Sequence, residues 1–314
     1  MWFLPRKKSN MSLLKVSIGI PAYNEEANIK NLLSSILAQR QDNFILEEII
    51  VVSDGSTDRT VEAIKELNNS KIRLVESKQR LGKTVQQNSI FETAKGEINI
   101  LFDADIYLPT TNILEEMIKP IIQNPQVGIV SLRIVPYKAT NFFQKIMNFS
   151  IRFKTQVFES MNNADNMYLC YGRARAFSKK FAYQLKWPKV TSEDVYSYFL
   201  CKLQGYKFVY LSGVSINFRS PNNFRDYKKQ SDRYKAGAKE MVKYFPSKLV
   251  EDSYRIPQTL LVRHMLKAFI KHPLLLLSYS SVVLFSMVLG RDSSNEHYLW
   301  PISGSSKSLK QDNI

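Results

Sequence analysis

Asp103 and Asp105 stand two residues apart, directly after the apolar run Ile98–Phe102. At a strand end such a pair can share one hard divalent cation, Mg2+ or Mn2+, which takes oxygen ligands and completes its shell with water and phosphate oxygens. A turn or a helix cap would use the same two residues, so their neighbours decide. Polar clusters follow other apolar runs in the same way. Pro21-Ala22-Tyr23-Asn24-Glu25-Glu26 follows Val16–Ile20, and Ser53-Asp54-Gly55-Ser56-Thr57-Asp58 follows Ile49–Val52. Gly82-Lys83 comes before the run at Ile98, and Ser192-Glu193-Asp194 opens a later helical segment. Ser192, Glu193 and Asp194 make a good helix start. Gln230-x-x-Arg233-Tyr234 lies in the basic region past residue 130.

The segments between these clusters alternate in period. Asn28–Gln39 carries Ile29, Leu32, Leu33, Ile36 and Leu37 at helical spacing, and Val61, Ile64 and Leu67 mark another helix. Short strands are expected at Val16–Ile20, Ile49–Val52, Ile72–Val75 and Ile98–Phe102. This alternation implies βαβ units and an α/β, mostly parallel sheet covered on both faces. Ligands of such sheets sit beyond the carboxyl ends of the strands, where the polar clusters fall. Past residue 130 the spacing predicts a long helix over Phe142–Met161, a helix over Asp194–Gln204 closed by Gly205, and a pair of strands at Phe208–Leu211 and Val214–Phe218. From Asn222 to Phe245, Tyr227, Ser231, Tyr234, Ala238, Met241 and Phe245 recur on one helix face, with Lys228, Lys235, Lys239 and Lys243 on another.

Charge is divided unevenly. The chain of 314 residues carries a formal net charge of +16. Residues 1–130 hold 15 basic and 16 acidic side chains, whereas residues 131–272 hold 26 and 9. A 44% apolar and 12% aromatic composition excludes a disordered chain. Cys170 and Cys201, with no paired spacing, exclude a disulfide framework, and three histidines without cysteine partners exclude a zinc site. No helix-turn-helix, zinc-finger or aromatic RNA platform accompanies the basic half, so no nucleic-acid partner is expected. An anionic membrane surface is expected instead, because each Lys or Arg beside an anionic leaflet contributes about 1 kcal/mol. Pro273–Leu289 is a run of 17 residues without a charge, at the lower limit for a spanning helix. Its basic upstream flank would leave residues 1–272 on the cytoplasmic side of the cell membrane.

The ordered set of motifs resembles the family 2 glycosyltransferases over about residues 15–240. That resemblance implies a GT-A (Rossmann-like) fold and an inverting, non-processive transfer from a UDP-sugar to a lipid-linked or cell-surface glycan acceptor. It implies that Pro21, Tyr23, Glu25, Asp54, Lys83 and Asp103 bind the nucleotide sugar, with the Asp54 carboxylate on the base. Asp105 and Asp103 would hold Mg2+ or Mn2+, and Asp194 would be the general base. Gly172, Glu193, Gln230, Arg233 and Tyr234 would line the acceptor and diphosphate site. Tyr171-Gly172-Arg173-Ala174-Arg175 matches the loop that shapes the acceptor pocket. Tyr234 departs from the tryptophan of polymerising members, and one helix cannot enclose an export channel. A processive synthase subunit and a nucleotidyltransferase of related fold are the alternatives. The expected organisation is an N-terminal extension (1–14), a nucleotide-sugar half (15–130), an acceptor half (131–220), basic interfacial helices (221–272), a membrane helix (273–290) and a polar tail (291–314).

Overall fold

The computed structural model describes residues 13–289 and Gly304. Most of the expected extension, residue 290 and nearly all of the tail lie outside the described residues. Along the chain run β1 (Leu14–Ala22), α1 (Ile29–Leu37), β2 (Phe44–Asp54), α2 (Thr60–Lys65), β3 (Ile72–Ser77), α3 (Lys83–Thr93), β4 (Ile98–Phe102) and β5 (Ile106–Tyr107). There follow α4 (Ile113–Gln123), β6 (Val127–Pro136), α5 (Phe142–Glu159), β7 (Ala174–Ser178), α6 (Lys179–Gln184), α7 (Glu193–Leu203) and β8 (Lys207–Phe218). Four helices end the described chain: α8 (Phe224–Met241), α9 (Ser247–Tyr254), α10 (Gln258–Lys271) and α11 (Pro273–Val288).

The eight strands form one mixed sheet, in the order β3-β2-β1-β4-β7-β6-β8-β5. β3, β2, β1 and β4 are mutually parallel, while β7 runs antiparallel to both β4 and β6. Strand β2 shows why both faces are covered. Ile49 and Val51 pack into the core under α1 and α4; Ile50 and Val52 point the other way, into the core under α3, α6 and α7. The boundary expected at 130/131 falls inside β6, so the two halves are continuous through the sheet. The two strands expected after Gly205 are a single strand, β8, whose register against β6 shifts between Leu132 and Arg133. The polar Ser212-Gly213 pair that suggested a turn lies at this irregularity.

Local chemistry sets several helix ends. The Asn141 side chain accepts from Gln144 N at 2.8 Å to start α5, and Asn223 accepts from Asp226 N at 2.9 Å to start α8. Helix α7 closes as expected at Gly205, whose φ of +76° allows the bonds Gly205 N to Lys202 O and Tyr206 N to Cys201 O.

The membrane helix expected over 273–290 is not present. Helix α11 has 16 residues, about 24 Å at 1.5 Å per residue, against a hydrocarbon core of about 30 Å. Among the described residues no helix is long and apolar enough to cross a membrane. Non-helical His272 (φ −145°, ψ 56°) and Pro273 at the first turn separate α11 from α10. Leu276 then buries against Phe149, Phe153 and Val157 of α5, so one side of the run is committed to protein.

Candidate active site

The first two polar loops are laced together at the carboxyl ends of β1 and β2. Pro21 pairs with Val52 within the sheet. Asn24 (φ +53°) accepts from Thr57 N at 2.8 Å, and Glu25 N donates to Thr60 Oγ1 at 2.7 Å. The buried Glu25 carboxylate accepts from Asn28 Nδ2 at 2.6 Å, which fixes the entry to α1. Asp54 is buried and anchors a third loop. Its Oδ1 accepts from Leu81 N (2.7 Å) and Gln86 Nε2 (2.5 Å), and its Oδ2 from Gly82 N (2.9 Å). Oδ2 therefore keeps one lone pair for a ligand donor, while most of the carboxylate's capacity holds the loop. That loop carries Arg80, whose guanidinium lies 4.0 Å over the Tyr23 ring. Arg80 and Gln86 had no motif to announce them.

The second cluster forms around Gly172. Lys83, in the first turn of α3, places Nζ 2.5 Å from Asp103 Oδ1 and 2.7 Å from Glu193 Oε1. Burial would lower the pKa of this ammonium, but the Asp103 and Glu193 carboxylates outweigh it and hold it above the ordinary lysine value. Glu193 is 1% exposed and faces Arg175, itself fully buried, at 3.6 Å. A Cβ on Gly172 would meet Glu193 Oε1 at 2.7 Å, Asp194 Oδ2 at 3.4 Å and Lys83 Nζ at 3.5 Å. Three segments far apart in sequence thus converge where only a glycine fits. Burial, then the Glu193 carboxylate, raises the Asp194 carboxyl above the ordinary aspartate value.

Asp105 pairs with Arg173 at 3.0 Å, and that guanidinium lies 4.3 Å over the Phe218 ring. Among the described residues no group of three or more His, Cys, Asp or Glu could hold a metal ion. The chain supplies two adjacent carboxylates at the turn between β4 and β5. This donor set fits a hard cation that takes its remaining ligands from a diphosphate and water. Each carboxylate meanwhile has a basic partner, which limits the repulsion between them.

Helix α8 closes the site. A Cβ on Gly237 would meet Ser192 Oγ at 3.0 Å, so the helix backbone lies close against the start of α7. Glu240 accepts from Thr191 N (2.9 Å), Thr191 Oγ1 (2.8 Å) and Ser192 N (3.1 Å). Tyr234 is largely exposed on α8. Arg233 lies 5.3 Å from the Tyr234 ring. Gln230 lies half-buried on the same helix.

The mixed α/β sheet carries carboxylates beyond the ends of its parallel strands, where sheets of this class bind their ligands. The family model described as Glycosyl transferase family 2 matches residues 17–185, more than half of the chain. The chain belongs to that family. It is 36% identical over 111 residues to an undecaprenyl-phosphate 4-deoxy-4-formamido-L-arabinose transferase of Aeromonas hydrophila, covering 33% of each chain. It is 30% identical over 138 residues to a dolichol-phosphate mannosyltransferase of Pyrococcus furiosus, covering 43% of this chain and 38% of that one. The matched stretch thus spans well under half the length of these curated relatives. Among solved structures, a mannosyltransferase from Pyrobaculum calidifontis in complex with GDP-Man and Mn2+ is similar with a TM-score of 0.57 and 21% identity, over 90% of this chain and 77% of that one. S. aureus TarS 1–349 in complex with UDP-GlcNAc is similar with a TM-score of 0.53 and 17% identity, over 82% and 73%. These likenesses establish the fold, GT-A.

Proposed function

We propose that this chain moves one sugar from a UDP-sugar to a lipid-linked or cell-surface glycan acceptor, with inversion at the anomeric carbon. The observation that carries the reading is the convergence of Lys83, Glu193 and Asp194 on Gly172, with Asp103 held to Lys83. Relatives named as undecaprenyl-phosphate and dolichol-phosphate sugar transferases support a lipid phosphate acceptor. The UDP-GlcNAc in one fold neighbour supports a uridine donor, although GDP-Man occupies another. The reading sets the domain at the cytoplasmic face of the cell membrane, where lipid acceptor and nucleotide sugar meet.

The roles follow from position. Tyr23, Arg80 and the loop anchored by Asp54 wall the nucleotide pocket, with Pro21 and Glu25 beneath it. Asp103 and Asp105 would hold Mg2+ or Mn2+, which offsets the negative charge arriving on the departing diphosphate. Arg173, Arg233 and Tyr234 face the diphosphate and acceptor side. On a glycan acceptor Asp194 takes the proton of the attacking hydroxyl as the hydroxyl oxygen bonds to the anomeric carbon, whereas the oxygen of a lipid phosphate is already ionised near pH 7 and needs no base. The bond from that carbon to the β-phosphate oxygen breaks, and its electron pair leaves with UDP. A carboxylate whose pKa is raised is the stronger base for this step. Glu193 positions Lys83 and, through the chain, Asp194.

The test is Asp194→Asn in a purified protein given UDP-sugars and a lipid-linked glycan whose free hydroxyl accepts the sugar. Loss of a general base lowers kcat about 10²–10⁴-fold, and UDP affinity stays within a few-fold. Undiminished turnover in the variant would sink the assignment. GDP- and dTDP-sugars belong in the same screen, since turnover of those alone removes the uridine preference.

A further inference from the structure

Helix α10 has two apolar faces, and only one of them meets protein. Leu260, Leu261 and Ala268 turn inward onto the cluster built on α5, and His264 is 3.1 Å from Ser160 Oγ. On the other side Leu266 (60% exposed), Phe269 (51%) and Ile270 (79%) stand in solvent. Helix α11 repeats the pattern. Leu276 is buried, whereas Leu274 is 75% and Val288 83% exposed. Of the twenty-one large apolar side chains exposed among the described residues, twelve lie between Val262 and Leu289. The other nine are scattered over more than two hundred residues, so this is a patch and not background.

The charges on these helices say what covers the patch. From Gln258 to Val288 there are three cations, Arg263, Lys267 and Lys271, and no Asp or Glu. They follow one another at i, i+4 along α10, beside the exposed apolar stripe. A second copy of this chain would bring like charges together across a two-fold axis, with no acid on these helices to answer them. A bilayer with anionic headgroups answers both features. Its acyl region takes the apolar faces, and long cationic side chains reach the phosphates. The polar groups inside the patch tolerate this, as with Ser281, whose hydroxyl donates to Leu277 O at 3.0 Å.

We infer that α10 and α11 form a monotopic foot that rests in the surface of an anionic membrane without crossing it. The foot deepens the proposed function and rests on it in one respect, the source of the acceptor. Both helices sit on α5, and Thr155 of α5 is 3.2 Å from the Tyr171 hydroxyl, one residue before Gly172. The helix on which α10 and α11 rest is therefore also the one in contact with the loop of Gly172.

The test uses the full chain with vesicles of phosphatidylcholine, alone or mixed with phosphatidylglycerol, pelleted at low and high salt. The protein should pellet with the anionic vesicles, and part should remain bound in high salt, where charge alone is screened. Ile270→Glu with Leu274→Glu should lower partitioning by at least about 100-fold. Its thermal midpoint should match the wild type, since both side chains are exposed. Lys267→Gln with Lys271→Gln should cost about 25-fold on anionic vesicles and nothing on phosphatidylcholine. The inference is overturned if the wild type ignores both vesicles, if the apolar double variant pellets like wild type, or if the wild type is a dimer in solution that this variant splits. Vesicle binding without sugar transfer leaves the foot standing and removes the activity; transfer without vesicle binding does the reverse.

Discussion

Gly172→Ala isolates the geometry on which the active-site reading depends. The new methyl carbon would lie 2.7 Å from Glu193 Oε1, whereas ordinary contact begins at 3.4 Å, so about 0.7 Å must be found. The backbone offers no other objection, because Gly172 is not among the glycines with positive φ. Glu193 cannot simply swing aside: it is 1% exposed and held by Lys83 at 2.7 Å and by Arg175 at 3.6 Å. The displacement therefore passes to Lys83 and to the adjacent Asp194. A misplacement near 1 Å at reacting groups costs about 10²-fold, so kcat should fall roughly 30–100-fold. Overpacking should lower stability by about 1–3 kcal/mol, a few degrees in thermal midpoint. The assay is UDP release with donor and lipid acceptor, alongside thermal unfolding. Glu193→Asp in the alanine background withdraws the carboxylate by one methylene and should recover part of the loss, giving a non-additive pair. If Gly172→Ala turns over within threefold of wild type with an unchanged midpoint, the crowded convergence is not what sets the reaction geometry.

Three further outcomes follow from neighbouring contacts. Asp54→Asn turns one acceptor oxygen into a donor facing Leu81 N, Gly82 N or Gln86 Nε2, and should weaken UDP binding about 10–100-fold by calorimetry, from about 1–3 kcal/mol of lost or opposed hydrogen bonds; unchanged affinity would free the loop from the nucleotide pocket. Glu240→Ala removes the acceptor for Thr191 N, Thr191 Oγ1 and Ser192 N, and should cost about 0.5–2 kcal/mol of stability by denaturant titration and lower kcat more than it raises KM. Because burial and Glu193 raise the Asp194 pKa, the deprotonated base is lost as pH falls through a value above the ordinary aspartate range; the acid limb of kcat against pH should lie there, and a limb at the unshifted value would reassign the base.

Much of the candidate site was legible because its chemistry is local. A strand that ends in the core must be followed by polar residues at the sheet's edge, so Asp103-Ala104-Asp105 after Ile98–Phe102 and Asp54 after Ile49–Val52 announce themselves by adjacency. The Gly205 ending of α7 was equally readable, since it depends on one residue's conformational freedom. Strands β5 and β7 and helix α4 were harder to see: β5 has two residues, and β7 is a fully buried run broken by Arg175. The interruption at Ser212-Gly213 looked like a turn because a shift in register and a chain reversal share the same residue types.

What the sequence by itself determined is the family of motifs, their order along the chain and the separation of near-neutral residues 1–130 from strongly basic residues 131–272. Tertiary structure decided which side chains meet. Lys83, Asp103 and Glu193 form one ionic cluster because α3, β4 and α7 end at the same place beyond the sheet, a fact that no spacing encodes. It also decided the fate of the uncharged run after His272. Apolar length leaves a core helix, a spanning helix and an interfacial helix open alike. The length of α11 removes the spanning helix, and the packing of Leu276 on α5 with Leu274 left in solvent is a property of the neighbours and not of the run.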